Sequence, residues 1–246
     1  MEFSDRQKEL GSIVLNALRQ HISALESRGL AISYSGGLDS TVLLALLEGK
    51  AKPYTLGSAD SRDLENSSKG SEATGVSVER IDLDSIDIEE YLSLLREIDP
   101  EIRKQDMGYE LVLAVILDSI PEERIVTGQG ADELFYGYHR FIDEPELTNS
   151  GHMEKLFSKT LPRERALAEH FGKTLVTPYL DPTILEAMEG TTREDHFSGD
   201  FNKAIVRYIG LEAGLPESIV YVKKKAAQYG SGMMKKLREN SIWSTL

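Results

Sequence analysis

Ala31-Ile32-Ser33-Tyr34-Ser35-Gly36-Gly37-Leu38-Asp39-Ser40-Thr41 decides how this chain is read. It reads as a short apolar strand, a glycine turn, an acid and then a helix that continues through Thr41-Val42-Leu43-Leu44-Ala45-Leu46-Leu47. Gly36 and Gly37 let the backbone come close to a bound group and take up dihedrals closed to other residues. The hydroxyls of Ser35 and Ser40, with the free N–H groups of a first helical turn, make a site for an anion. Asp39 sets a carboxylate beside that anion, an arrangement that calls for a metal ion between them. The combination predicts a nucleoside triphosphate bound with Mg²⁺.

Working outward, a second segment repeats the design. The apolar run Arg124-Ile125-Val126-Thr127 reads as a strand and enters Gly128-Gln129-Gly130-Ala131-Asp132-Glu133, again glycines and then an acid at a helix start. In an open parallel sheet, ligands bind outside the carboxyl ends of the strands, where the strand order reverses. Neighbouring strands would point Asp39 and Asp132 into one crevice, and two carboxylates with phosphate oxygens suit Mg²⁺. Either loop alone is as well explained by helix capping and turn preference; the pair favours the nucleotide. Other phosphate motifs fail. No lysine precedes Ser40 or Thr41 as the phosphate-transfer loop requires, Gly128-Gln129-Gly130 does not continue as G-x-G-x-x-G, and Ser33 stands where a nucleophile elbow needs glycine. No H-E-x-x-H occurs, and the 5 histidines are scattered, which argues against zinc.

The flanking sequence predicts an α/β fold, an open parallel sheet with helices on both faces. Strands are expected at 29–34, 53–57, 76–83 and 124–127, with helices at 4–27, 41–49, 62–74, 87–96 and 108–119. Beyond residue 150 there is helical periodicity and no clear strand. The 246 residues are expected to form one unit, a nucleotide-binding part over 1–145 and a mainly helical part over 146–246. The longest apolar run, 111–117, is too short to span a membrane and suits a buried helix. With 28 Lys and Arg against 41 Asp and Glu, the net charge of -13 argues against nucleic-acid binding by bulk charge. Cys is absent, which excludes disulfides, thiolate metal sites and a cysteine nucleophile and agrees with a cytoplasmic setting.

These residues resemble a known family. Ser35-Gly36-Gly37-Leu38-Asp39-Ser40 resembles the pyrophosphate loop of the N-type ATP pyrophosphatases. Residues 128–138 (GQGADELFYGY) resemble the second signature of the asparagine synthetase C-terminal domain and its β-lactam synthetase relatives. The likeness continues at Arg165, at Pro178-Tyr179-Leu180-Asp181, over 203–207, at Leu215-Pro216 and over 224–230. The resemblance implies the adenine nucleotide alpha hydrolase-like sheet with an added helical part. It implies attack of a substrate carboxylate on the α-phosphorus of ATP, release of pyrophosphate, and displacement of AMP by ammonia or another amine. It also implies roles. Ser33, Ser35, Gly36, Gly37 and Ser40 would line the nucleotide, the loop residues cradling pyrophosphate; Asp39 and Asp132 would hold Mg²⁺. Leu56 and Gly57 would lie near adenine, and Thr127 and Gly128 near the ribose or α-phosphate. Lys224, Asp132 and Gln129 would stand at the reacting groups, Lys224 stabilising charge as pyrophosphate leaves.

Three departures qualify the resemblance. The family's amidotransferases carry an N-terminal glutaminase domain with a catalytic cysteine; none is found here, so ammonia is expected free or from a separate glutaminase, or else another amine serves. Asparagine synthetases commonly have glutamate at the position of Gln129, near the substrate amine, and a neutral amide is no base. The family's arginine ahead of the Pro-Phe-Leu-Asp segment falls on Val176. The alternatives are a tRNA-modifying or sulfur-transfer ATP pyrophosphatase, disfavoured by the absent cysteine and the acidic charge, and a non-catalytic ATP-binding subunit serving a glutaminase. The carboxylate, the amine and any homo-oligomer stay open. Among the remaining candidates, Asp181 before Pro182 reads as a helix N-cap. Glu133 is expected to pair with a neighbour or Arg140, and Tyr136, Tyr138 and Phe141 to pack. Residues 222–233, which join three lysines to glycines, are expected to form a lid that orders over the nucleotide.

Overall fold

The computed structural model describes residues 2–222 and 230–240. Helix α1, Asp5–Ser23, starts at a capping box in which Ser4 and Gln7 satisfy each other's backbone N–H groups. It buries Leu10, Val14, Leu18 and Ile22, the expected apolar stripe, and ends before the Gly29 turn (φ 65°). Then follow β1 (Leu30–Ser33), α2 (Leu38–Leu47), β2 (Lys52–Gly57), α3 (Arg62–Thr74) and β3 (Glu79–Asp82). After these come α4 (Glu89–Ile98), α5 (Lys104–Ser119) and β4 (Arg124–Val126). The second half contributes short helices α6 (Ala131–Leu134), α7 (Arg140–Asp143) and α8 (Ser150–Lys155), then α9 (Leu161–His170). It continues with β5 (Thr174–Val176), α10 (Pro182–Met188), α11 (Arg193–His196), α12 (Ala204–Glu212) and α13 (Glu217–Val220). A last described helix spans Met233–Glu239.

The five strands form one parallel sheet in the order β3-β2-β1-β4-β5. Strand alternation sends side chains to opposite faces. Ile32 and Val126 therefore enter one apolar core with α1, α2, α10 and α12, while Ala31 and Ile125 enter the other with α4, α5 and the Met233–Glu239 helix. Both faces are thus covered, as parallel sheets require. The run at 111–117 lies in the buried helix α5, with Leu111 and Leu117 fully enclosed. No helix among the described residues is long and apolar enough to cross a membrane.

Two details differ from the sequence reading. A fifth strand, β5, lies beyond residue 150, where none was expected. It is a three-residue edge strand, too short to show alternation, paired to β4 through Ile125↔Leu175. Helix α3 is polar as expected, yet Asp63, Ser67 and Gly70 are buried. Its small residues let it press on the β1 loop: a Cβ at Gly70 would lie 1.6 Å from the Tyr34 hydroxyl.

The strand order reverses between β1 and β4, which are direct neighbours in register Ala31↔Ile125 and Ile32↔Val126. The loops leaving their carboxyl ends therefore lie side by side.

Candidate active site

The first loop is built to leave donors open. Gly37 is the N-cap of α2 and offers no side-chain cap, so the N–H groups of the first turn keep their capacity for a ligand. Gly36 takes φ 68°, and a Cβ there would lie 2.4 Å from backbone atoms of Asn66 and Ser67. Only glycine fits that corner between loop and α3. The Ser35 hydroxyl lies 3.3 Å from that of Ser40, and Ser40 and Thr41 donate to the Gly37 carbonyl at 3.2 and 2.8 Å.

The second loop crosses this one closely. A Cβ on Gly128 would sit 3.5 Å from the Asp39 Cβ. Gly130 turns the chain into α6 at φ 87° and leaves room for Leu180, which a Cβ would meet at 2.2 Å. The two acids, expected to meet, do so at the Lys203 side chain. Lys203 Nζ lies 2.6 and 2.7 Å from the two Asp39 carboxylate oxygens and 2.7 Å from Asp132 Oδ1. The lysine is 3% exposed, and it stands where the sequence placed a metal ion.

Ser33, Ser35, Gly36, Gly37, Thr127, Gly128, Gln129 and Asp132 all line a cavity of about 1290 Å³ that also reaches Lys203 and Arg207. Asp39, Ser40 and Leu56 line a smaller recess of about 160 Å³, which shares Ser33, Ser35 and Gly128 with the large one. Gly57 lines neither; it packs on the N-terminus of α3, where a Cβ would lie 2.1 Å from Ser61 Oγ. Lys224 and most of the expected lid lie outside the described residues. At the lid's far end, Ser231 accepts a backbone hydrogen bond from Ser58 at 3.0 Å. Asp181 caps α10 through the Thr183 N–H at 2.9 Å. Tyr136 and Phe141 pack with ring centroids 4.8 Å apart. Glu133 accepts from the Tyr138 hydroxyl rather than pairing with Arg140.

The same cavity is also lined by the buried carboxyls of Glu164 and Glu133. Gln129 Nε2 donates to Glu164 Oε1, while Glu164 Oε2 has no hydrogen-bond donor among the described residues. Burial, and then the nearby Glu110 and Glu133, hold the Glu164 carboxyl well above the usual carboxylate range. Glu133 is also raised, first by burial and then by Asp132. Behind the wall, burial pushes Glu110 up to about 7 against the opposing pull of Arg163, whose Nε donates to it at 2.6 Å. Sequence reasoning assigned no role to Lys203, Glu164 or Arg207. Lys203 and Arg207 lie within a resembling stretch, but nothing local marks the Lys203 side chain as turned toward the two acids.

The asparagine synthase family model matches residues 12–175, which include both loops. The chain belongs to the asparagine synthase family. It is 24% identical over 275 residues to a Methanocaldococcus jannaschii protein provisionally named glutamine-hydrolyzing asparagine synthetase 1, covering 94% of this chain and 50% of that protein. It is 22% identical over 297 residues to an asparagine synthetase domain-containing protein of Saccharomyces cerevisiae, covering 98% of this chain and 56% of the yeast protein. The chain thus spans about half the length of these two relatives. A solved NH3-dependent NAD synthetase from Campylobacter jejuni, in complex with nitrate, aligns over 98% of this chain and 96% of its own at 12% identity and a TM-score of 0.38. The matched residues include the parts of both loops that line the cavity at the sheet's switch point.

Proposed function

We propose that this chain is an AMP-forming, asparagine synthetase-like ligase that activates a small carboxylate with ATP and transfers ammonia or another amine to it. One observation carries the reading: the two acid-bearing loops, on strands adjacent at the switch point, converge on the Lys203 ammonium. Two hard carboxylate donors within contact distance of one positive charge fit Mg²⁺ completed by phosphate oxygens, so Asp39 and Asp132 are the residues that would hold it. When bound, the ion would neutralise phosphate charge as pyrophosphate departs.

The chain's own groups divide the remaining work. The open N–H groups of α2, with Ser35 and Ser40, bind the pyrophosphate portion. Thr127 and Gly128 orient the α-phosphate and ribose, and Leu56 borders the base. The substrate carboxylate attacks at phosphorus, and its acyl-adenylate then faces the Gln129–Glu164 wall, from which the amine arrives. The resemblance gives Lys224 the charge-stabilising role. Ammonia reaches the site free or from a separate glutaminase.

The test is ATP and Mg²⁺ with a panel of carboxylic acids plus ammonium, scored for AMP and pyrophosphate. Release of both, lost on Asp132→Asn with an unchanged melting profile, is the expected result. ADP as product, or no product with any acid, would sink the reading.

A further inference from the structure

We propose that Lys203 is the site's own counter-cation: with no nucleotide bound it holds Asp39 and Asp132 together, and it yields that position to a divalent ion only when a phosphate chain is present to receive its ammonium. This rests on the ATP–Mg²⁺ reading above and adds a positioning residue to it.

The geometry is built for the purpose. Lys203 adopts φ 57°, a left-handed conformation that a residue with a Cβ takes up at a cost. That corner is fastened to the neighbouring one at Tyr136, itself at φ 56°. The Asn202 amide donates to the carbonyls of Tyr136 and Gly137 at 3.1 and 2.9 Å. Gly137 forms the slot through which the lysine passes. A Cβ there would lie 2.1 Å from Lys203 Cε and 2.0 Å from Asp132 Oδ1. Two strained corners, an amide clamp and a side-chain-free slot together deliver one ammonium to the two acids.

An ordinary structural ion pair would not need this position. Lys203 and Asp132 both line the nucleotide cavity, at the carboxyl edge of the sheet and not within either apolar core. Two carboxylates this close repel unless a positive charge lies between them. The ammonium meets that need before ligand arrives, and it also opposes any divalent ion seeking the same oxygens. A triphosphate changes the balance, because it brings several negative oxygens within reach of the lysine while the metal takes the carboxylates. Metal and nucleotide are thereby coupled in binding.

The measurement is Mn²⁺ binding without nucleotide, followed by loss of the free-ion electron paramagnetic resonance signal. The wild-type chain is expected to bind Mn²⁺ at least tenfold more weakly than Lys203→Met, whose two acids lack this ammonium. Lys203→Arg, which keeps the charge, is expected to behave as wild type. Equal Mn²⁺ affinity in wild type and Lys203→Met would overturn the proposal. If Lys203→Met is unfolded alone, refolding on addition of Mn²⁺ supports the same conclusion, and failure to refold overturns it. No nucleotide enters this assay, so its outcome is separate from AMP release by the wild-type chain, which tests the underlying function.

Discussion

Gln129→Glu should destabilise the chain in a strongly pH-dependent way. The substitution removes the amide that donates to Glu164 Oε1 and puts a carboxylate oxygen in its place, against a carboxyl already raised by burial and by its acidic neighbours. The lost hydrogen bond alone costs about 1 kcal/mol. Two full charges in hydrogen-bond contact, taken as about 3 Å with an effective dielectric of about 20, repel by roughly 5 kcal/mol. Taking up one proton between them is the escape, and the net cost should lie between those bounds, roughly 2–3 kcal/mol near neutral pH. The sign follows from linkage. The pair's folded pKa lies above the unfolded carboxylate value, so the folded state binds the extra proton and stability falls as pH rises above about 4.3. The difference from wild type should therefore be small at about pH 5 and large at about pH 8. Urea unfolding across that range measures it. A variant as stable as wild type at the alkaline end, or one whose deficit does not change with pH, would refute the facing of Gln129 and Glu164.

Gly36→Ala should destabilise by roughly 2–4 kcal/mol, from a left-handed φ of 68° and a Cβ 2.4 Å from the α3 backbone, and should abolish AMP formation; a thermal melt with a product assay tests both. His196 is fully buried, stacks on Tyr136 at a centroid distance of 4.7 Å, and has its pKa lowered to about 4 by burial. A depressed imidazole stabilises the fold above the unfolded value, and that share, about 3 kcal/mol, is lost as pH falls from about 6.5 to about 4. His196→Phe should flatten this slope in urea midpoints measured over that range, and an unchanged slope would rule the assignment out. Arg163→Met strands Glu110, 0% exposed, and Asp99 without their shared guanidinium, and equilibrium unfolding should show a loss of about 3–5 kcal/mol.

What the sequence made legible follows from where information is local. The two loops, the apolar stripe of α1, the Asp181 cap of α10 and the buried α5 each rest on a contiguous pattern, and the structure keeps all of them. The meeting of Asp39 with Asp132 required one inference about strand neighbours, and the β1–β4 register supplies it. Strand β5 escaped because three residues at a sheet edge carry no period. Lys203 escaped for a different reason. Its role depends on a left-handed corner clamped by Asn202 to a turn 65 and 66 residues away, which no single-sequence pattern encodes. Glu164 was hidden likewise, since its contact with Gln129 comes from the packing of α9 against the second loop.

The charge of the chain sharpens the case for a local site. At a net charge of -13 the long-range field opposes any triphosphate, so steering cannot gather the nucleotide. Affinity has to come from groups within contact distance, and these are concentrated at one edge of the sheet. The uncapped start of α2 contributes oriented dipoles, Lys203 an ammonium, and Arg207 a guanidinium fixed by the Asn202 carbonyl at 2.7 Å. Glu164 and Glu133, which line the same cavity, are buried carboxyls held above their ordinary range. On the proposed function, the phosphates of a bound nucleotide would lie at α2 and Lys203. That placement would require no help from the charge of the molecule as a whole.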